Sequence, residues 1–255
     1  MTEPTPDPQA FDPKQHWDAL RSAMEQGGPA AVVAFVEGDF TPKQQRALYL
    51  FCVNGFCNRE WAGKALDPQI EVARAGIALG LRQAEAEADP KERDARIDFA
   101  NVLSYNLAAN LAPCWPGDDV PRERRHLEAG LEAAEACLRW REQLGKGPFP
   151  FSIAWWAKGM HELALGRDAV ASMREALEAA RAHARAEGKP DGVADGWLVA
   201  LSAGYLGLAE RAAGGDGARY AEAKAALEGM LADPEGAEDA QFCLDQLAVA
   251  EARIR

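Results

Sequence analysis

Apolar residues recur at steps of three and four along nearly the whole chain, the spacing that lines one face of a helix. No segment alternates apolar and polar residues as a half-buried strand would. Lys14 to Gln26 carries Trp17, Leu20 and Met24 in helical register and stops at Gly27–Gly28, and Pro29 to Glu37 forms a second, short apolar helix. Thr41–Pro42 supplies a cap and a first-turn proline to a helix bearing Leu48, Phe51, Cys52 and Phe56. Asp67–Pro68 opens a helix to about Ala88, and Asp89–Pro90 opens the next. From Ile97 to Leu111 that helix is apolar almost all round, which predicts packing on more than one side. After a loop from Pro113 to Pro121, a helix is expected over Arg122 to Gln143. Towards the end, Ala194–Ala213, Ala218–Leu231 and Ala237–Ile254 read as helices, parted by Gly214–Gly217 and by Asp233–Pro234.

The stretch from Phe149 to Asp191 is the most informative. Pro150 suits a first turn, where its missing N–H costs nothing. Ile153, Trp156, Met160 and Leu163 then keep helical time until Gly166, which can take the left-handed conformation that ends a helix. Asp168 is placed to cap a second helix, whose stripe is Ala169, Met173, Ala176, Leu177 and Ala180. Trp156-x2-Gly159-Met160-x2-Leu163 followed by Ala169-x3-Met173-x2-Ala176 resembles the tetratricopeptide repeat, with the small residue of the first helix displaced by one. The alternative register, Trp155-x3-Gly159, would put Lys158 and Glu162 at apolar positions, so the first is preferred. The linking turn is shorter than the family's, and Pro190 comes late for its closing proline. The resemblance is clearest over Trp156–Leu177. It implies an all-α fold: a right-handed α-α superhelix of antiparallel helical hairpins, a tetratricopeptide-like solenoid.

Composition adds boundaries. The chain has 255 residues, with 28 Lys and Arg against 40 Asp and Glu, a net charge of −12. Such a chain repels nucleic acid and anionic membrane on average, so neither is expected as a partner. Met1 to Pro13 carries four prolines and little to bury, and reads as a disordered tail before one helical repeat domain over 14–255. It has no basic region followed by an apolar run, and no apolar run in the chain reaches membrane-spanning length. Five scattered cysteines, Cys52, Cys57, Cys114, Cys137 and Cys243, do not form a disulfide framework, and the expected address is a reducing cytoplasm.

Candidate chemistry is sparse. Asn54-x3-Asn58, Asn106-x3-Asn110 and Lys158-x3-Glu162 stand 52 residues apart, each on the first helix of its hairpin, and the series fades at Glu210 and Gly214. In solenoids first helices line the concave face, and some tetratricopeptide domains hold peptide carboxylates there with Asn, Lys and Arg. The competing reading is a rung of buried amides that satisfy one another. His161–Glu162 lacks the second histidine of a metalloprotease helix, whose place is taken by Leu165, and no Cys/His group has metal-ligand spacing, so neither metal nor cofactor is expected. Cys52 and Cys57 read as core thiols, and Cys114 as a loop thiol beside Trp115. Trp115, Trp140 and Trp197 are assigned to packing. Arg122, Arg124, Arg125 and His126 form a basic helix start, open to an anion or partner.

The sequence reading is therefore a peptide- or protein-binding scaffold whose groove uses Tyr105, Asn106, Asn110, Trp155, Lys158, His161 and Glu162, with Lys158 as a lone cation. The alternative is an enzyme or small-molecule sensor with a pocket near Trp155, Lys158, His161 and Glu162, in which His161 is the one plausible acid or base. No catalytic residue is assigned, and no oligomeric state is read.

Overall fold

A computed structural model describes residues 11–57, 61 and 63–253. Most of the expected tail, through residue 10, and Asn58 of the asparagine series lie outside the described residues. Pro13 already belongs to a 3-10 helix, Pro13–His16, capped by the Asp12 carboxylate. Ten α-helices follow, with no strand among the described residues: α1 Trp17–Val36, α2 Pro42–Phe56, α3 Leu66–Glu85, α4 Pro90–Leu111, α5 Arg124–Gln143, α6 Pro148–Ala164, α7 Val170–Ala186, α8 Trp197–Ala212, α9 Ala218–Met230 and α10 Ala237–Arg253. Among the described residues no helix is long and apolar enough to cross a membrane. The chain divides into two compact units, Met1–Leu103 and Ser104–Arg255.

In the first unit, α1 is broken at Gly28 (φ 66°), where the Gly27–Gly28 stop was expected. Thr41 forms a full capping box with Gln44 at the start of α2. Asp67 does not cap α3. The helix begins at Leu66, behind an N-cap residue, Ala65, that makes no side-chain bond. The core gathers Leu20, Leu48, Tyr49, Val53, Phe56 and Ala73. A Cβ on Gly76 would meet the Tyr49 ring at 2.8 Å, so α2 and α3 approach at that glycine.

In the second unit each helix packs on the next in sequence from α5 to α10, and α6 also touches α8, as α8 touches α10. Helices α5, α6, α7 and α8 end alike. At each end a glycine with positive φ (Gly145, Gly166, Gly188, Gly214) donates its N–H to the carbonyl of the helix's last residue but one, and the residue after it donates to the carbonyl one position earlier, the Schellman pattern. At α6 these bonds are Gly166 to Leu163 at 2.9 Å and Arg167 to Glu162 at 2.8 Å; at α8 they are Gly214 to Arg211 at 3.0 Å and Gly215 to Glu210 at 2.8 Å. Asp168 then accepts from the Val170 N–H at 3.0 Å, and Asp216 from the Ala218 N–H at 2.9 Å. Gly159, Glu162, Gly166, Asp168 and Val170 thus have structural counterparts 48 residues on, in Gly207, Glu210, Gly214, Asp216 and Ala218.

Between α6 and α8 the correspondence is therefore 48 residues, and the 52-residue series does not continue past α6. The counterpart of Lys158 is the buried Leu206, and that of Glu162 is Glu210. Within the first hairpin the three apolar positions of the preferred register face the core, while Lys158 and Glu162 are themselves largely buried. Met160 is fully buried, Leu163 is 5% exposed, and Trp156 packs on the same core. The expected second stripe, Ala169 to Ala180, is buried at all five positions.

Candidate functional site

The seven candidate residues all fall in the second unit, on α4 and α6. Helix α6 is packed by α5, α7 and α8, and no residue from Phe151 to Leu165 is exposed. Its polar side chains therefore meet protein, and each has to be accounted for.

Tyr105 and Trp155 come together on a small core of Cys137, Leu138 and Ala154. The Arg141 guanidinium lies 4.9 Å from the Tyr105 ring centre, and burial pushes the Tyr105 hydroxyl up to about 12. Beside Trp155, the Lys158 ammonium is 5.6 Å from the indole ring centre, a cation over an aromatic face. It donates to Glu162 Oε1 at 2.5 Å and to Ser172 Oγ of α7 at 3.0 Å. Lys158 is thus half of an ion pair, with side-chain exposures of 20% and 14% for the two partners. The expected lone cation is already neutralised by the carboxylate one turn on, and its second bond ties α6 to α7. Glu210, the counterpart of Glu162, reaches the next helix itself, accepting from Arg219 at 3.0 Å.

His161 is fully buried. Its Nε2 donates to the Ala108 carbonyl of α4 at 2.9 Å, which fixes the neutral tautomer and leaves Nδ1 without a partner. A Cβ on Gly130 of α5 would stand 2.1 Å from the ring, so the imidazole fills the space that glycine leaves. Burial lowers its pKa to about 4. A histidine walled in by three helices and neutral above that pH tethers α4, α5 and α6. It is not placed as an accessible general base. Asn106 and Asn110 on α4 are half-buried, and the Asn110 carbonyl accepts from Arg122 at 3.0 Å.

Three further candidates are placed by the structure. Arg122 does not start a helix; α5 begins at Arg124, behind a Glu123–His126 capping box. The Arg122 guanidinium, 3% exposed, pairs with Asp118 at 2.7 Å and takes the carbonyls of Asn110 and Leu111 at the end of α4. Its positive charge thus faces the negative end of a helix dipole. Arg124 and Arg125 pair with Glu128 and Glu123, so none of the three arginines of this basic run is an open anion site. Cys114 is buried, and burial pushes its thiol up to about 12, far from a reactive thiolate. Trp197, assigned to packing, is 38% exposed.

Trp197 points to what the sequence reading missed. With Phe149, also 38% exposed, it lines a cavity of about 340 Å³ bounded by the start of α6, the end of α7 and the start of α8. His183, Glu187, Lys189 and Asp195 complete its polar edge. The signal was present in the sequence, since Trp197 follows Asp195–Gly196 at the first position of its helix. There a large apolar residue has little of its own helix to lie on. Among the described residues no cluster of three or more His, Cys, Asp and Glu side chains is arranged to hold a metal. Set against protein-family models, curated proteins and solved structures, the chain matches none of them.

Proposed function

We propose that the second unit is a tetratricopeptide-like helical-repeat scaffold that binds a peptide or protein partner. The observation that carries this reading is the equivalence of α6–α7 and α8–α9. Two hairpins share the same glycine turn, the same aspartate after it and a 48-residue spacing, and their first helices touch. Repeated hairpins that bury one another extend a surface without enclosing a reaction chamber, and such arrays serve recognition. On this reading the turns continue the hairpins into a right-handed superhelix. Trp155 and Tyr105 supply rigid apolar area beside the Lys158–Glu162 pair, and the free thiols of the five cysteines suit a reducing compartment.

The test is affinity capture by the whole chain, repeated with Trp155→Ala and Lys158→Met after each variant is shown to melt as the wild type does. A partner held by the wild type and released by both variants supports the reading. A partner held equally by all three places recognition away from α6.

A further inference from the structure

The cavity between the ends of α6, α7 and α8 is a different place from the α6 face and has a different chemistry. Two of the largest exposed apolar side chains, Phe149 and Trp197, stand on it rather than being scattered over the surface. The Phe149 ring lies 5.2 Å from His183, so one wall is a pair of planar groups. At about 340 Å³ the space is at the lower end of what small-molecule sites offer, and such sites combine apolar walls with a few placed charges.

The charges are of both signs. Glu187 and Lys189 are separated by Gly188, whose positive φ (69°) turns the chain between them. Neither side chain is in an ion pair among the described residues, with each other or with any other group. Asp195 is already committed to the Gly192 N–H at 3.0 Å, and Arg185 nearby to Asp191. One open carboxylate and one open ammonium therefore line the same cavity as Phe149 and Trp197.

We propose that this cavity binds a small zwitterion with an apolar body, the chemistry of a free hydrophobic or aromatic α-amino acid. The ligand's carboxylate faces Lys189, its ammonium faces Glu187, and its side chain lies against Phe149 and Trp197. The site stands independently of the partner-binding reading.

The test is calorimetric titration of the whole chain with L-phenylalanine and L-leucine. N-acetylphenylalanine lacks the ammonium, phenylalaninamide lacks the carboxylate, and glycine lacks the apolar body. The expected result is saturable binding of phenylalanine or leucine, no detectable binding of glycine, and about fivefold weaker binding of each blocked derivative, the scale of one exposed ion pair. Trp197→Ala should abolish binding with the melting temperature unchanged. Lys189→Glu should weaken phenylalanine and N-acetylphenylalanine while sparing phenylalaninamide. Binding of the blocked forms as tightly as phenylalanine overturns the zwitterion assignment. Absence of saturable binding by both amino acids at millimolar concentration overturns the site.

Discussion

The hairpins α6–α7 and α8–α9 make the same turn and hold their helices together with different chemistry. In the first, Gly159 of α6 is covered by the Met173 side chain of α7: a Cβ there would lie 2.8 Å from the methionine sulfur and methyl. In the second, Gly207 of α8 lies against backbone: a Cβ there would stand 2.4 Å from Tyr220 N and 2.7 Å from its Cα. The first carries the Lys158–Glu162–Ser172 clasp and the buried His161. At the places of Lys158 and His161 the second has Leu206 and Ala209, both 2% exposed. A hairpin is thus specified by its turn and by one position of close approach, while the polar content of its first helix is free to vary. Polar groups inside α6 are accordingly better explained by ties to α4 and α7 than by the repeat itself.

The largest effect should come from charge in the core that the two hairpins share. Met160→Asp and its counterpart Leu208→Asp should each cost roughly 3–5 kcal/mol, the scale of an uncompensated buried charge. Urea unfolding of the two proteins checks this, and an unchanged midpoint for one of them would break the equivalence of the hairpins.

Acid should separate the hairpins next. The folded-state pKa of His161, about 4, lies below the ordinary value of 6.5. The unfolded chain then holds a proton that the folded one refuses, so the stability His161 contributes is complete above pH 6.5 and is lost as pH falls towards 4. The loss amounts to ~3 kcal/mol by pH 4. His161→Gln should flatten the slope of urea midpoint against pH in that window. An unaltered slope would mean that the histidine titrates freely.

The glycines give a smaller and more discriminating contrast. Gly207→Ala should destabilise by about 2 kcal/mol, because the backbone of α9 has to move. Gly159→Ala should be near neutral, since Met173 can shift a flexible end and alanine regains ~1 kcal/mol of helix propensity. Equal melting temperatures for the two variants would erase the difference in packing. The smallest contrast between the hairpins, an equal effect in both, is expected at the turns. Gly166→Ala and Gly214→Ala should each cost ~1 kcal/mol for a side chain forced into the left-handed region, read as matched shifts in thermal melting.

Local signals explain what was legible. The helix breaks at Gly28, Gly166 and Gly214, the cap at Thr41 and the buried stripe from Ala169 to Ala180 depend on residues a few positions apart. Backbone preferences and helical period act at that range. The start of α5 was misplaced by two residues, because Arg122 was read as part of its own helix when it caps α4, twelve residues back in the chain at Asn110.

The sequence by itself determined the all-helical class, most helix ends and the face that α6 and α7 turn inward, since those follow from propensity, caps and period. Only the tertiary structure decided the 48-residue correspondence of the two hairpins, the use of the polar residues and the place of the cavity. Lys158 has the same local context whether it meets a ligand or Glu162 and Ser172, and His161 the same context whether it faces a groove or Gly130 and the Ala108 carbonyl. Glu162 lies one turn from Lys158, within helical period, but Ser172, Gly130 and Ala108 lie 14 to 53 residues away from their partners, where helical period carries no information.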